Sequence, residues 1–194
     1  MAKRTARASD TPLFAWSDAV RAARLKHRKR MRWVVVSTVG IMTLGLTIVA
    51  PPLPRLVWNA SSSAPIGLYA VTPGAPINRG DMVIARLPAR YRMLAAVRHY
   101  LPANVPLVKH VVASAGDEIC ALGETIFLNG RRIAQRRIAD GHGRAMPWWS
   151  GCVHLRGHQL FLLMTDNPAS FDGRYFGSTE GEDVIGKARL LWAR

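Results

Sequence analysis

Eighteen consecutive residues, "WVVVSTVGIMTLGLTIVA" from Trp33 to Ala50, carry no charge. As a helix rising about 1.5 Å per residue they would extend roughly 27 Å. With part of the proline-rich stretch that follows, that spans a bilayer core of about 30 Å. A small domain would struggle to bury every face of such a helix, so a core helix fits poorly. A cleaved export signal fits poorly as well, because the apolar region is long and no clear small-residue cleavage site precedes the prolines. Its Gly, Ser and Thr are tolerable in lipid, where hydroxyls bond back to the helix. The run "RLKHRKRMR" at 24–32 comes directly before it, and cations on that flank predict a cytoplasmic N-terminus. The expected organisation is a basic cytoplasmic tail over 1–32, one transmembrane helix over 33–50 and a periplasmic domain over 51–194. The chain would be single-pass in the inner membrane, with the bilayer as its first partner.

The formal charge of +15 raises a nucleic-acid reading. Its placement argues against it. Residues 1–32 hold ten Lys/Arg against two Asp, a net of +8, and residues 51–194 hold seventeen against ten Asp/Glu, a net of +7. The densest run is explained by membrane topology, and no readable nucleic-acid motif appears. The basic tail suits anionic lipid instead.

After Pro51, Pro52 and Pro54, which stop the helix, the sequence changes character. Short runs rich in Val, Ile, Leu and Phe stand at 67–72, 81–87, 105–113, 124–130, 158–165 and 183–193. Turn residues separate them, as in "NRGD" (78–81), "AGDE" (115–118) and "LNGRR" (128–132). A weak helical pattern shows only around 88–98. These features predict a mainly β domain, curled or barrel-like. Cys120 and Cys152 both fall in it, and an oxidising compartment favours their pairing as a disulfide over two separate thiols.

Two stretches invite a chemical reading. "NASSSAPIGLY" (59–69) sets three serines before a proline and a glycine. A serine becomes a nucleophile only when a base takes its proton. His99, His110, His142, His154 and His158 show no nucleophile-base pattern and no zinc spacing. Lys109 is the better base by local context, since apolar residues flank it in "VPLVKHVVASAG". Such a lysine either points to solvent or is held in an apolar site, where desolvation lowers its pKa. "TDNPASFDGRYFG" (165–177) is either a surface loop with an exposed Asp172–Arg174 pair or a segment bracing a site. "MPWWS" (146–150) suits either the membrane interface or packing under a loop.

In this order, the basic tail with its apolar helix, "NASSSAPIGLY", "VKHVVASAGDEI" and "TDNPASFDGRYFG" followed by "VIGKA" resemble the type I signal peptidase family. The closer resemblance is to its branch of conjugative-transfer, TraF-like pilin-processing serine peptidases. It covers nearly all of 24–192. The family's nucleophile segment S-x-P-x-G-L-Y places the nucleophile at Ser63, and its base segment places the general base at Lys109. By the same resemblance Ser61 helps bind the oxyanion and Ser170 hydrogen-bonds the lysine. Asp172 and Arg174 form a supporting pair, with a more direct role for Asp172 in the pilin-processing branch. Gly173 and His110 depart from the family, which often has serine and arginine there.

The resemblance implies a signal-peptidase-like curled β-sheet or barrel. It also implies a Ser/Lys serine endopeptidase, without cofactor or metal, that cleaves membrane-tethered exported precursors, above all a pilin precursor whose ends it can join into a ring. A general housekeeping signal peptidase shares the same residues. A membrane-anchored scaffold without chemistry would leave Ser63 and Lys109 far apart.

Overall fold

The structure, a computed structural model, describes residues 11–50, 52–165 and 167–194. The first ten residues of the basic tail, the helix-stopping Pro51 and Asp166 of the closing segment lie outside the described residues. The chain divides into two compact units, Met1–Pro52 and Leu53–Arg194.

The first unit is built on one helix, α1 (Thr11–Val49). Helical structure therefore begins well before the apolar run, and the basic stretch 24–32 belongs to the same helix. Its segment Ala19–Val49 is long and apolar enough to cross a membrane. The hydroxyls of Thr38, Thr43 and Thr47 donate to the carbonyls of Val34, Val39 and Leu44 at 2.8–2.9 Å. They need no partner from lipid.

In the second unit, a six-stranded antiparallel sheet runs in the order β1-β2-β10-β3-β4-β9. Its strands are β1 (Leu56–Asn59), β2 (Gly67–Thr72), β3 (Met82–Ala85), β4 (Leu107–Ala113), β9 (Phe161–Leu163) and β10 (Val184–Ala193). A four-stranded sheet runs β7-β6-β5-β8, from β5 (Glu118–Leu122), β6 (Thr125–Leu128), β7 (Arg131–Gln135) and β8 (Gly151–His154). Among the described residues of this unit there are also two short α-helices, α2 (Ala89–Val97) and α3 (Gly173–Phe176), and a 3-10 turn over Gly181–Asp183. The turn between β6 and β7 is Asn129–Gly130, both at positive φ (49° and 77°), the geometry that a two-residue hairpin requires.

The fold is mixed α/β, and this corrects the expectation of a mainly β, curled or barrel-like domain. Both sheets are open. One ends at β1 and β9 and the other at β7 and β8, and among the described residues no ladder joins those edges. Short alternating strands suit an open sheet as well as a closed one. Closure depends on how the edge strands register, which residue patterning does not reveal.

The side chains of the six-stranded sheet feed two apolar clusters. Val83, Ala85, Leu107 and Val111 pack with Leu87, Ala95 and Phe176, from and around α2 and α3. Tyr69, Val71, Ile84, Val108 and Ala188 pack on the other face with Ala64 and Met164. A third cluster, around Ile119, Ile126, Leu155 and Phe161, sits under the smaller sheet. Strand alternation puts Lys109 on the same face as Leu107 and Val111, and β3–β4 pairing sets it opposite Val83. The lysine therefore rises out of an apolar layer.

Candidate active site

Ser61 and Ser63 lie on the link between β1 and β2, a turn held by its own first residue. The side-chain amide of Asn59 donates to the carbonyls of Ser61, Ala64 and Pro65 at 2.9, 3.1 and 3.1 Å. Its oxygen accepts the N–H of Ser61 at 3.1 Å. The hydroxyl of buried Tyr69 donates to the same Pro65 carbonyl at 2.8 Å. Asparagine can close such local bonds without β or helical pairing, so the backbone around Ser63 is fixed by side chains. Gly67 completes the turn. A Cβ there would stand 2.0 Å from the carbonyl oxygen of Trp192, so β10 crosses where only glycine fits.

β4 brings Lys109 to this turn. Its Nζ lies 3.0 Å from Ser63 Oγ and 2.8 Å from Ser170 Oγ. The side chain is 2% exposed, which decides between the solvent-facing and the apolar alternatives. Burial pulls its pKa down from 10.5 to about 8. The Asp172 carboxylate works against that shift and the Arg174 guanidinium assists it. Ser61 Oγ is 3.0 Å from Ser63 Oγ and accepts the Ser63 N–H at 3.3 Å.

The closing segment backs the cluster. Arg174 and Asp172 form a buried pair with bonds Nε to Oδ1 of 2.8 Å and Nη2 to Oδ2 of 2.7 Å. The carboxylate also accepts the N–H groups of Met164 and Arg174. Arg174 Nη2 further donates to the carbonyls of Met164 and Asn167. Among the described residues, neither oxygen of Asp172 bonds to Lys109 or Ser63. The segment is thus a brace and not an exposed loop. It also meets the serine turn directly, because Asn167 donates its side-chain amide to the Ser62 carbonyl at 3.3 Å.

Several residues of this arrangement carry no weight in the sequence reading. Asn59 and Tyr69 stand inside the quoted motif, and the Asn-x-Ser spacing of a side-chain-closed turn was the available signal for Asn59. Arg136 had no signal. It is buried, stacks on Trp148 with its guanidinium carbon 3.5 Å from the ring centre, and donates to the carbonyls of Gly123, Trp149 and Arg174. Trp149 packs edge-on against Phe161 and donates to Gly173, whereas Trp148 stays partly exposed. Trp149 thus packs under the closing segment, and Trp148 covers the buried Arg136 guanidinium.

Cys120 and Cys152 are joined in a disulfide across directly opposed positions of β5 and β8, in the other sheet. Among the described residues no histidine bonds to Ser63. A cleft of about 990 Å³ opens onto Ser63, Lys109 and Ser170 and runs past Trp58, Tyr100 and Met146, large enough for an extended peptide segment. The separation of Ser63 and Lys109 that a scaffold without chemistry would show is not found.

The chain is similar to known proteins. The plasmid transfer protein TraF of Escherichia coli is 29% identical over 147 residues, which cover 69% of this chain and 82% of that protein. The conjugal transfer protein TraF of Agrobacterium fabrum is 28% identical over 144 residues, 69% of this chain and 80% of that one. A crystal structure of a signal peptidase I from Enterococcus faecalis shares 15% identity over 61% of this chain and 98% of its own, with a TM-score of 0.35. Among the described residues one helix, near the N-terminus, is long and apolar enough to cross a membrane. Together with the family match it supports a single-pass protein of the inner membrane with a periplasmic catalytic unit. Residues 28–193 match the family of signal peptidases, peptidase S26, and the chain belongs to that family of serine-type peptidases.

Proposed function

We propose that Ser63 is the nucleophile and Lys109 the general base of an endopeptidase that cleaves membrane-tethered precursors of conjugative transfer, with a pilin precursor as the foremost substrate. The observation that carries this reading is the 3.0 Å approach of Lys109 Nζ to Ser63 Oγ, made by a buried lysine whose pKa lies near 8. A lysine at its ordinary pKa would be an ammonium ion with no lone pair for a proton. One near 8 holds a useful neutral fraction at physiological pH. The TraF names of the relatives support the conjugative assignment.

Neutral Lys109 accepts the Ser63 hydroxyl proton as the oxygen attacks the scissile carbonyl, while its own N–H donates to Ser170. The tetrahedral oxyanion is met by the Ser63 N–H and the Ser61 hydroxyl, which here bond to each other, so substrate must part them. Preorganised donors of this kind supply much of the rate enhancement in acyl transfer. Lys109 then gives its proton to the leaving amine. The acyl-enzyme passes to water, releasing a carboxylic acid, or to the precursor's own amino terminus, closing a ring through a new amide. Asp172 and Arg174 act as positioning residues behind the lysine. In this reading residues 1–32 are the cytoplasmic tail, 33–50 cross the bilayer and 51–194 form the periplasmic part. Restricting enzyme and precursor to one membrane raises their effective concentration.

The test incubates the detergent-solubilised full chain, wild type and Ser63→Ala, with candidate pilin precursors and reads intact product masses. Cleavage by wild type and none by the variant is expected. A product one water lighter than the hydrolysed one identifies ring closure. Cleavage of ordinary exported precursors with pilins untouched would overturn the conjugative assignment in favour of a housekeeping signal peptidase.

A further inference from the structure

The cleft that opens onto Ser63 and Lys109 is lined by more basic than acidic side chains. Arg98, His99, Arg137, His142 and Arg144 line it, and Asp140 is the acidic side chain among its described lining residues. Asp140 is already committed. It accepts from the Tyr100 hydroxyl at 2.5 Å, from Arg144 Nε at 2.7 Å and from the N–H groups of His142 and Arg144 at 2.9 Å. These bonds hold its carboxyl well below the usual range, and they use Arg144 as its partner. Arg98 and Arg137 form no ion pair with an acidic side chain among the described residues. Arg98 Nη1 donates to the Ala145 carbonyl at 2.6 Å, and its guanidinium also sits against the Tyr100 hydroxyl that bonds Asp140. The Arg137 backbone is pinned by the Tyr175 hydroxyl at 3.1 Å. Two arginines with no acidic partner among the described residues therefore line the channel that a substrate would fill, Arg98 anchored through its side chain and Arg137 through its backbone alone. A guanidinium presents a planar fork of donors that matches a carboxylate by two parallel bonds.

We propose that Arg98 and Arg137 bind the carboxylate of an acidic side chain in the precursor, so that this part of the cleft selects an Asp or Glu near the scissile bond. The proposal rests on the cleft being the substrate channel of the Ser63–Lys109 site. It makes the two arginines specificity-determining residues, and Asp140 the group that keeps Arg144 out of the same task.

The experiment uses a pool of short synthetic peptides with alanine before the cut and Glu or Gln alternated at every other position, each made with a free or an amidated C-terminus. Cleavage by the full-length enzyme is read by mass spectrometry, and binding to the uncleavable Ser63→Ala chain is read on the same pool. The expected result is a Glu-over-Gln preference of about tenfold at one position in both measurements. It should fall in Arg137→Gln, reach near unity when Arg98→Gln is added, and reverse to favour Gln over Glu in Arg137→Glu. Arg189→Gln, a change at an exposed arginine on β10 outside the cleft, should leave the preference intact. Equal binding of Glu and Gln peptides at every position overturns the proposal, as does a preference that vanishes on C-terminal amidation and so belongs to a chain terminus. Failure of wild type to cut any peptide counts against the Ser63–Lys109 chemistry instead, and the binding arm still decides the role of the arginines.

Discussion

Arg174 and Asp172 stand two residues apart and meet through two parallel bonds of 2.7 and 2.8 Å, with the arginine 2% and the aspartate 0% exposed. Every bond that the carboxylate makes among the described residues goes to Arg174 or to the Met164 N–H. The pair therefore acts on Lys109 through space and through the backbone it braces. Removing one partner strands a charge in the interior, at a cost of about 3–5 kcal/mol. Arg174→Met and Asp172→Asn should each lower the unfolding temperature markedly and reduce turnover with it, whereas Ser63→Ala should abolish turnover and leave the temperature nearly unchanged. Thermal unfolding beside a precursor-cleavage assay checks this. Full loss of turnover in Asp172→Asn at the wild-type unfolding temperature would show that the aspartate touches the reacting atoms.

The lowered pKa of Lys109 predicts that activity and stability both rise with pH, in adjoining windows. If the neutral amine is the base, kcat/KM should climb about tenfold per pH unit below about 8 and level off above it. The folded lysine titrates near 8 and the unfolded one near 10.5. Between those values the unfolded chain binds more protons, so the folded state gains stability as pH rises across that window. Below pH 8 the buried amine costs up to about 3 kcal/mol. Lys109→Met should then be inactive yet more stable than wild type at neutral pH, with an advantage that shrinks toward pH 10.5. Denaturant unfolding at a series of pH values measures it. A Lys109→Met chain no more stable than wild type at neutral pH would mean that the amine is not destabilised by its burial.

What the sequence could disclose depended on whether a feature is local. The apolar run and its basic flank are local, and they led to α1. The serine turn and the lysine strand are local too, but their meeting is not. Strand alternation alone left Lys109 free to face water, and only the pairing of β3 with β4 and the return of the chain through Ser170 put it beside Ser63. Asn59 stayed unnoticed because an asparagine before serines reads as an ordinary turn former, with its three carbonyl partners lying two to six residues ahead. Arg136 was illegible, since its partners at Gly123, Trp149 and Arg174 come from three separate segments. The openness of both sheets was illegible for the same reason, being a property of edges that no residue pattern marks.

Asn59 yields a prediction of its own. Its amide is nearly buried and serves three carbonyls of the turn that carries Ser63. Asn59→Ala removes those bonds and should cost about 1–3 kcal/mol. The larger effect should fall on kcat, because a nucleophile displaced by about 1 Å can lose a hundredfold in rate. Asn59→Asp keeps the shape but has no N–H to donate, so it should not rescue. A steady-state comparison on a fixed precursor checks this, and a kcat unchanged in Asn59→Ala would show that the turn holds Ser63 without its side-chain clamp.

The last prediction concerns Gly173, the first residue of α3. Its φ is not in the left-handed region, so backbone strain does not explain the glycine. Space does. A Cβ built there would lie 2.9 Å from the Leu162 carbonyl oxygen and 2.9 Å from the Phe161 ring. The ring can turn aside, but the backbone oxygen belongs to β9 and cannot move without its pairing to β4. Gly173→Ser should therefore destabilise by about 1–3 kcal/mol, as overpacking of a filled interior does. It should also lower turnover, because α3 begins at this residue and carries Arg174. Adding Phe161→Leu relieves the ring contact and leaves the carbonyl contact, so the double variant should recover only part of the lost stability. Thermal unfolding of the single and double variants measures both. Full recovery in the double variant would assign the constraint to the Phe161 ring alone, and a Gly173→Ser chain as stable as wild type would mean that β9 yields.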